Sequence, residues 1–106
     1  MINQITVSEL KRKINNSETL LLIDVREDFE RELYHIGGRH IPMHEVLMRA
    51  NEIQKDIPVV FYCQKGIRSS IVIQRLIDKF GFDNLLNLKG GMEEWQKTFK
   101  SENENQ

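Results

Sequence analysis

A chain of 106 residues supports one domain with a core of its own, and a makeup of 40% hydrophobic and 29% charged residues is that of an ordinary globular protein. With 15 basic against 16 acidic residues and a net charge of -1, it has no excess of cations for nucleic acid or for an anionic membrane surface. No apolar run approaches the roughly 20 residues of a membrane span, and Met1-Ile2-Asn3-Gln4-Ile5-Thr6 carries neither the basic patch nor the apolar stretch of an export signal. The single cysteine excludes an internal disulfide and points to a reducing compartment, by default the cytoplasm.

In chain order, Ile5-Thr6-Val7 predicts a short strand. Ser8 is the expected N-cap of a helix through Lys13, with Val7, Leu10 and Ile14 on its apolar side, and Asn15-Asn16-Ser17 breaks it. Leu20 to Val25 is an apolar strand ending in the polar cluster Asp24, Arg26, Glu27 and Asp28. A helix through Glu30 to Leu33 should follow, with Glu27 or Asp28 in its first turn. His35-Ile36-Gly37-Gly38-Arg39 reads as a loop and His40-Ile41-Pro42 as an edge strand stopped by proline. Val46, Leu47, Ala50 and Ile53 have helical spacing, which predicts a helix over roughly His44 to Gln54. Asp56-Ile57-Pro58 turns into the next strand.

That strand, Val59-Val60-Phe61-Tyr62, is continuously apolar and rich in β-branched and aromatic residues, the mark of a strand buried on both faces. Ser69, Val72, Ile73, Leu76, Ile77 and Phe80 then form one stripe of a helix, closed by Gly81. Between the two sits a short loop with Cys63, Lys65, Gly66 and Arg68. A strand that stops at a thiol, turns tightly and opens a helix aims backbone N–H groups at an anion. Leu85 to Leu88 is a further strand, Gly90-Gly91 a tight turn, and Met92 to Phe99 a last helix with Met92, Trp95 and Phe99 on one side. Residues 101–106 contain nothing apolar and read as a frayed tail, so the domain is expected over 1–100. Alternating strands and helices imply an α/β fold with a mainly parallel sheet. Its ligand crevice should lie beyond the carboxyl ends of the strands, where Cys63 and Asp24 both sit.

These residues resemble the rhodanese (sulfurtransferase) family in four places, in order. They are Asp24-Val25-Arg26-Glu27, the stretch from His35-Ile36 through Ile41-Pro42, Val60-Phe61-Tyr62-Cys63-Gln64-Lys65-Gly66-Ile67-Arg68-Ser69, and Leu88-Lys89-Gly90-Gly91-Met92-Glu93-Glu94-Trp95. The resemblance implies five parallel strands with helices on both faces. It also implies a sulfurtransferase in which Cys63 takes the outer sulfur of thiosulfate or a related persulfide donor and passes it to cyanide or a thiol. Thioredoxin or glutathione would serve as the thiol, and no cofactor is required. Gln64, Lys65, Gly66, Ile67, Arg68 and Ser69 would form the binding loop. A helix N-terminus, Lys65, Arg68 and the amides of Gln64 through Ser69 all favour an ionised sulfur. Lys65 and Arg68 would draw in an anionic donor, and a salt bridge from Arg68 to Asp24 is an alternative use of that arginine. Asp24 and Arg26 are read as holding a strand end together.

Two other classes compete. Protein-tyrosine-type phosphatases and arsenate reductases enclose a tetrahedral oxyanion with five residues between cysteine and arginine; here Gln64, Lys65, Gly66 and Ile67 are only four. A non-catalytic docking module of the same family usually lacks the cysteine, which this chain retains. His40 and His44 sit four apart, but no carboxylate or second cysteine completes a metal-ligand set around them.

Overall fold

The structure, a computed structural model, describes residues 2–100. The expected tail at 101–106 lies outside the described residues. Among the described residues five strands and four α-helices alternate except between β3 and β4: β1 (Gln4–Ile5), α1 (Val7–Asn15), β2 (Leu21–Asp24), α2 (Asp28–Leu33), β3 (Arg39–His40), β4 (Val59–Tyr62), α3 (Ile67–Phe80), β5 (Leu85–Leu88) and α4 (Gly91–Thr98). The sheet order is β1-β5-β4-β2-β3 and every pairing is parallel, as the alternating pattern implies. No helix among the described residues is long and apolar enough to cross a membrane.

β4 is central because every one of its residues is apolar enough to be buried. Val59, Phe61 and Cys63 pack on the face covered by α3, with Val72, Ile73 and Leu76 of that helix. Val60 and Tyr62 pack on the other, among Leu10 of α1 and Met92 and Trp95 of α4. The period-two alternation of a strand thus feeds two cores at once. Along α3 the stripe narrows toward its end: Ser69, Val72, Ile73 and Leu76 are buried, whereas Phe80 is partly exposed and meets Phe82 edge-on.

Two local expectations are corrected. Thr6, not Ser8, caps α1: its hydroxyl accepts from Glu9 N–H, while the Glu9 carboxylate accepts from Thr6 N–H. This reciprocal pair outcompetes a lone serine cap and starts the helix at Val7. The helix expected over His44 to Gln54 is instead two 3-10 turns, Met43–Glu45 and Ala50–Glu52. Val46 and Ile53 are buried as their spacing implies, but Met48 between them faces solvent. The backbone reaches both anchors through tighter bonds, among them Glu45 N–H to Pro42 O, Glu52 N–H to Arg49 O and Ile53 N–H to Ala50 O. Arg49 reinforces this path by pairing with Glu45 and Glu52.

At the carboxyl end of β2, Asp24 is fully buried beside Arg26. Its Oδ1 accepts from the Arg26 backbone N–H at 2.9 Å and from Nε at 3.0 Å, and its Oδ2 accepts from Nη2 at 3.0 Å and from Arg31 Nη1 at 3.4 Å. Arg26 in turn donates to Tyr34 O at 2.7 Å and reaches Gln64 Oε1 at 3.4 Å. This pair therefore ties β2 both to the segment after α2 and to the loop after β4. Removing the carboxylate leaves a buried guanidinium uncompensated, so Asp24→Ala is predicted to cost about 3–5 kcal/mol. Urea unfolding measures it, and a loss below about 1 kcal/mol, the scale of an exposed pair, would contradict the assignment.

Candidate active site

β4 ends at Tyr62, and the next residue, Cys63, is buried at the carboxyl edge of the sheet, 1% exposed. The chain then turns back through Gly66, whose φ of +88° is left-handed and suits glycine. A Cβ there would also lie 3.2 Å from Gly90 N and 3.3 Å from Leu88 O. Because α3 starts at the next residue, its first amides have no acceptor within the helix. Two amides, that of the N-cap Gly66 and one from the first turn of α3, find the thiol: Cys63 Sγ accepts from Gly66 N–H at 3.1 Å and from Ser69 N–H at 3.4 Å, and Ser69 Oγ stands 3.3 Å away.

The loop is fixed from behind by α4. Met92 N–H donates to Cys63 O and Glu93 N–H to Gln64 O, each at 2.9 Å. This contact requires Gly91, since a Cβ there would fall 2.4 Å from Cys63 O and 2.8 Å from the Gln64 carbonyl. Gly90-Gly91 is thus more than a turn. It lets the start of one helix hold the carbonyls of the loop that begins the other.

Asn87, on β5 and buried, completes the support. Its Oδ1 accepts a short hydrogen bond from Ser69 Oγ, and its Nδ2 lies within bonding distance of Gly66 O, Ser70 Oγ and Gln4 Oε1. Sequence reasoning missed this residue, although one signal existed: a lone polar side chain inside the apolar run Leu85 to Leu88 needs buried partners.

A cavity of about 370 Å³ is lined by Glu30, Cys63, Gln64, Lys65, Ile67 and Arg68. Five of the seven residues expected at the site line it, while Gly66 and Ser69 sit behind with their amides on Sγ. Lys65 is exposed. The alternative salt bridge from Arg68 to Asp24 does not form, because Arg26 and Arg31 occupy Asp24. Arg68 turns instead to Glu30 of α2, donating from Nη1 to Oε1 at 2.7 Å and from Nη2 to Oε2 at 2.8 Å. The arginine's hydrogen bonds outweigh burial and hold Glu30 down to about 2, and Glu30 in turn raises Arg68. Glu30 is the second residue that sequence reasoning missed, since nothing in its local context points across 38 positions to Arg68.

A sequence profile described as the rhodanese-like domain matches residues 6–98. A sulfurtransferase of Allochromatium vinosum is 35% identical over 98 residues, covering 92% of this chain and 91% of that protein. A thiosulfate sulfurtransferase of Coxiella burnetii is 33% identical over 78 residues, 73% of this chain and 72% of its own. Among solved structures, a rhodanese-like domain protein from Staphylococcus aureus superposes with a TM-score of 0.79 at 33% identity, covering 89% of this chain and 91% of that one. Two longer relatives from Bacillus subtilis also match, and the chain spans 51% and 64% of their lengths.

The Glu30–Arg68 pair has a defined acid signature. Glu30 ionises in the folded chain near 2, against an ordinary value of 4.5. Its stabilisation is therefore complete above 4.5 and is lost as the pH falls toward 2. Glu30→Gln should make stability fall less steeply between pH 5 and pH 2 than in the unsubstituted protein, as measured by urea unfolding across that range. Parallel profiles would contradict this.

Proposed function

The chain belongs to the rhodanese-like domain family, and from that footing we propose that it is a sulfurtransferase whose carrier is Cys63. The Cys63 thiolate attacks the outer sulfur of thiosulfate or of a related persulfide donor. A bond forms between Sγ and that sulfur, the donor's sulfur–sulfur bond breaks, and its electron pair leaves with sulfite or with the donor thiolate. A thiophilic acceptor, cyanide or a thiol such as thioredoxin or glutathione, then attacks the outer sulfur and releases the Cys63 thiolate. The sulfur changes owner without any net oxidant or reductant.

One observation supports this reading above the rest: Cys63 lines a cavity, and the amides of Gly66 and Ser69 donate to its Sγ. Amide donors fixed in advance stabilise anionic sulfur without reorganising during the reaction. Ile67 and Arg68 also line the cavity, and their amides, in the first turn of α3, have no acceptor within the helix. They are suited to an outer sulfur carried one bond further from the loop. The exposed Lys65 ammonium adds attraction for an anionic donor. The relatives named as sulfurtransferases agree with this chemistry, and a reducing compartment such as the cytoplasm would keep the thiol free.

Incubation with thiosulfate, and separately with cysteine persulfide, followed by intact-mass measurement, tests the reading. The protein should gain one sulfur atom from at least one donor, and Cys63→Ser should gain none. No gain from either donor, or the same gain in the serine variant, would overturn it.

A further inference from the structure

We propose that Glu30 is a specificity-determining residue of this site, turning donor choice away from dianions such as thiosulfate and toward organic hydropersulfides. The inference rests on the sulfurtransferase reading above and concerns which donor the cavity accepts.

Both terminal nitrogens of Arg68 are committed to the two oxygens of Glu30, a forked geometry in which little of the guanidinium's charge is left for a ligand. Glu30 and Arg68 both line the cavity, so their charges cancel on its wall. Among the residues lining the cavity, Lys65 is then the cation left uncancelled, beside the two amides that donate to Cys63 Sγ. A dianion entering such a cavity brings two negative charges toward a thiolate, and the carboxylate cancels the arginine that would otherwise meet them. A hydropersulfide reacts as neutral R–S–SH, and even its anion R–S–S⁻ brings one charge fewer than the dianion. The Cys63 thiolate attacks its outer sulfur, the bond between outer and inner sulfur breaks, and the pair leaves as R–S⁻. The outer sulfur's proton stays on the new Cys63 hydropersulfide or passes to the departing thiolate. The carboxylate on the wall therefore penalises the two donors unequally. Glu30 also has a local duty, because its Oε1 accepts from Glu27 N–H at 3.0 Å at the start of α2. Glutamine keeps an oxygen for that capping bond and removes the charge, while its amide NH2 replaces the oxygen that accepts from Arg68 Nη2.

The test is the ratio of single-turnover sulfur loading from thiosulfate to loading from cysteine persulfide, both measured by intact mass on one preparation. A folded fraction below unity cancels in this ratio. At low ionic strength Glu30→Gln should raise the ratio about fivefold, with a smaller rise at about 0.5 M salt. Arg68→Gln, which leaves the carboxylate unbalanced, should lower it. An unchanged or lowered ratio in Glu30→Gln, or a raised one in Arg68→Gln, would overturn the assignment. Failure of the unsubstituted protein to load from either donor would instead remove the sulfurtransferase reading.

Discussion

Two hydrogen bonds, from the amides of Gly66 and Ser69 to Cys63 Sγ, are the constraint on which the rest of the molecule bears. A buried thiol with no donors around it would be a small hydrophobe. Here it is buried and still provided for, because the chain turns at a left-handed glycine and opens a helix over it. Burial and hydrogen bonding act together: the low-dielectric surroundings that penalise an unpartnered anion also strengthen the donors fixed on it.

Each layer of the fold contributes to that arrangement. The apolar run Val59–Tyr62 places β4 between two cores and so carries Cys63 to the sheet's carboxyl edge. From β5, Asn87 grips the loop through Ser69 and Gly66. From α4, two backbone amides take the carbonyls of Cys63 and Gln64. Asp24 and Arg26 brace the neighbouring strand end and reach Gln64. Burial raises the Tyr62 phenol to about 12, so Tyr62 stays a neutral donor to Gly37 O and adds no charge near the site.

Much of this was legible in the residues. The central strand, the loop, the long helix and β5 are written in strong apolar patterns, and the structure follows them within a residue or two. Legibility fails where distant contacts decide. Val46, Leu47, Ala50 and Ile53 are spaced for a helix, yet two 3-10 turns meet the same burial demand, with Glu52 bound to Arg39 of β3. The partner of Arg68 was not readable, because Asp24 and Glu30 lie in the same polar stretch and only the fold shows that Arg26 and Arg31 already occupy the first. Gly91 reads as a turn, and its closeness to Cys63 O appears only in three dimensions. In each case the pattern of burial was visible and the identity of a polar or backbone partner was not.

The central claim concerns the amides more than the sulfur itself. Two-dimensional amide NMR on the ¹⁵N-labelled protein before and after sulfur loading tests it most directly. The account predicts that the Gly66, Ile67, Arg68 and Ser69 resonances move, while those of distant strands such as β1 stay in place. Loading of Cys63 that leaves these four amides unshifted would contradict it.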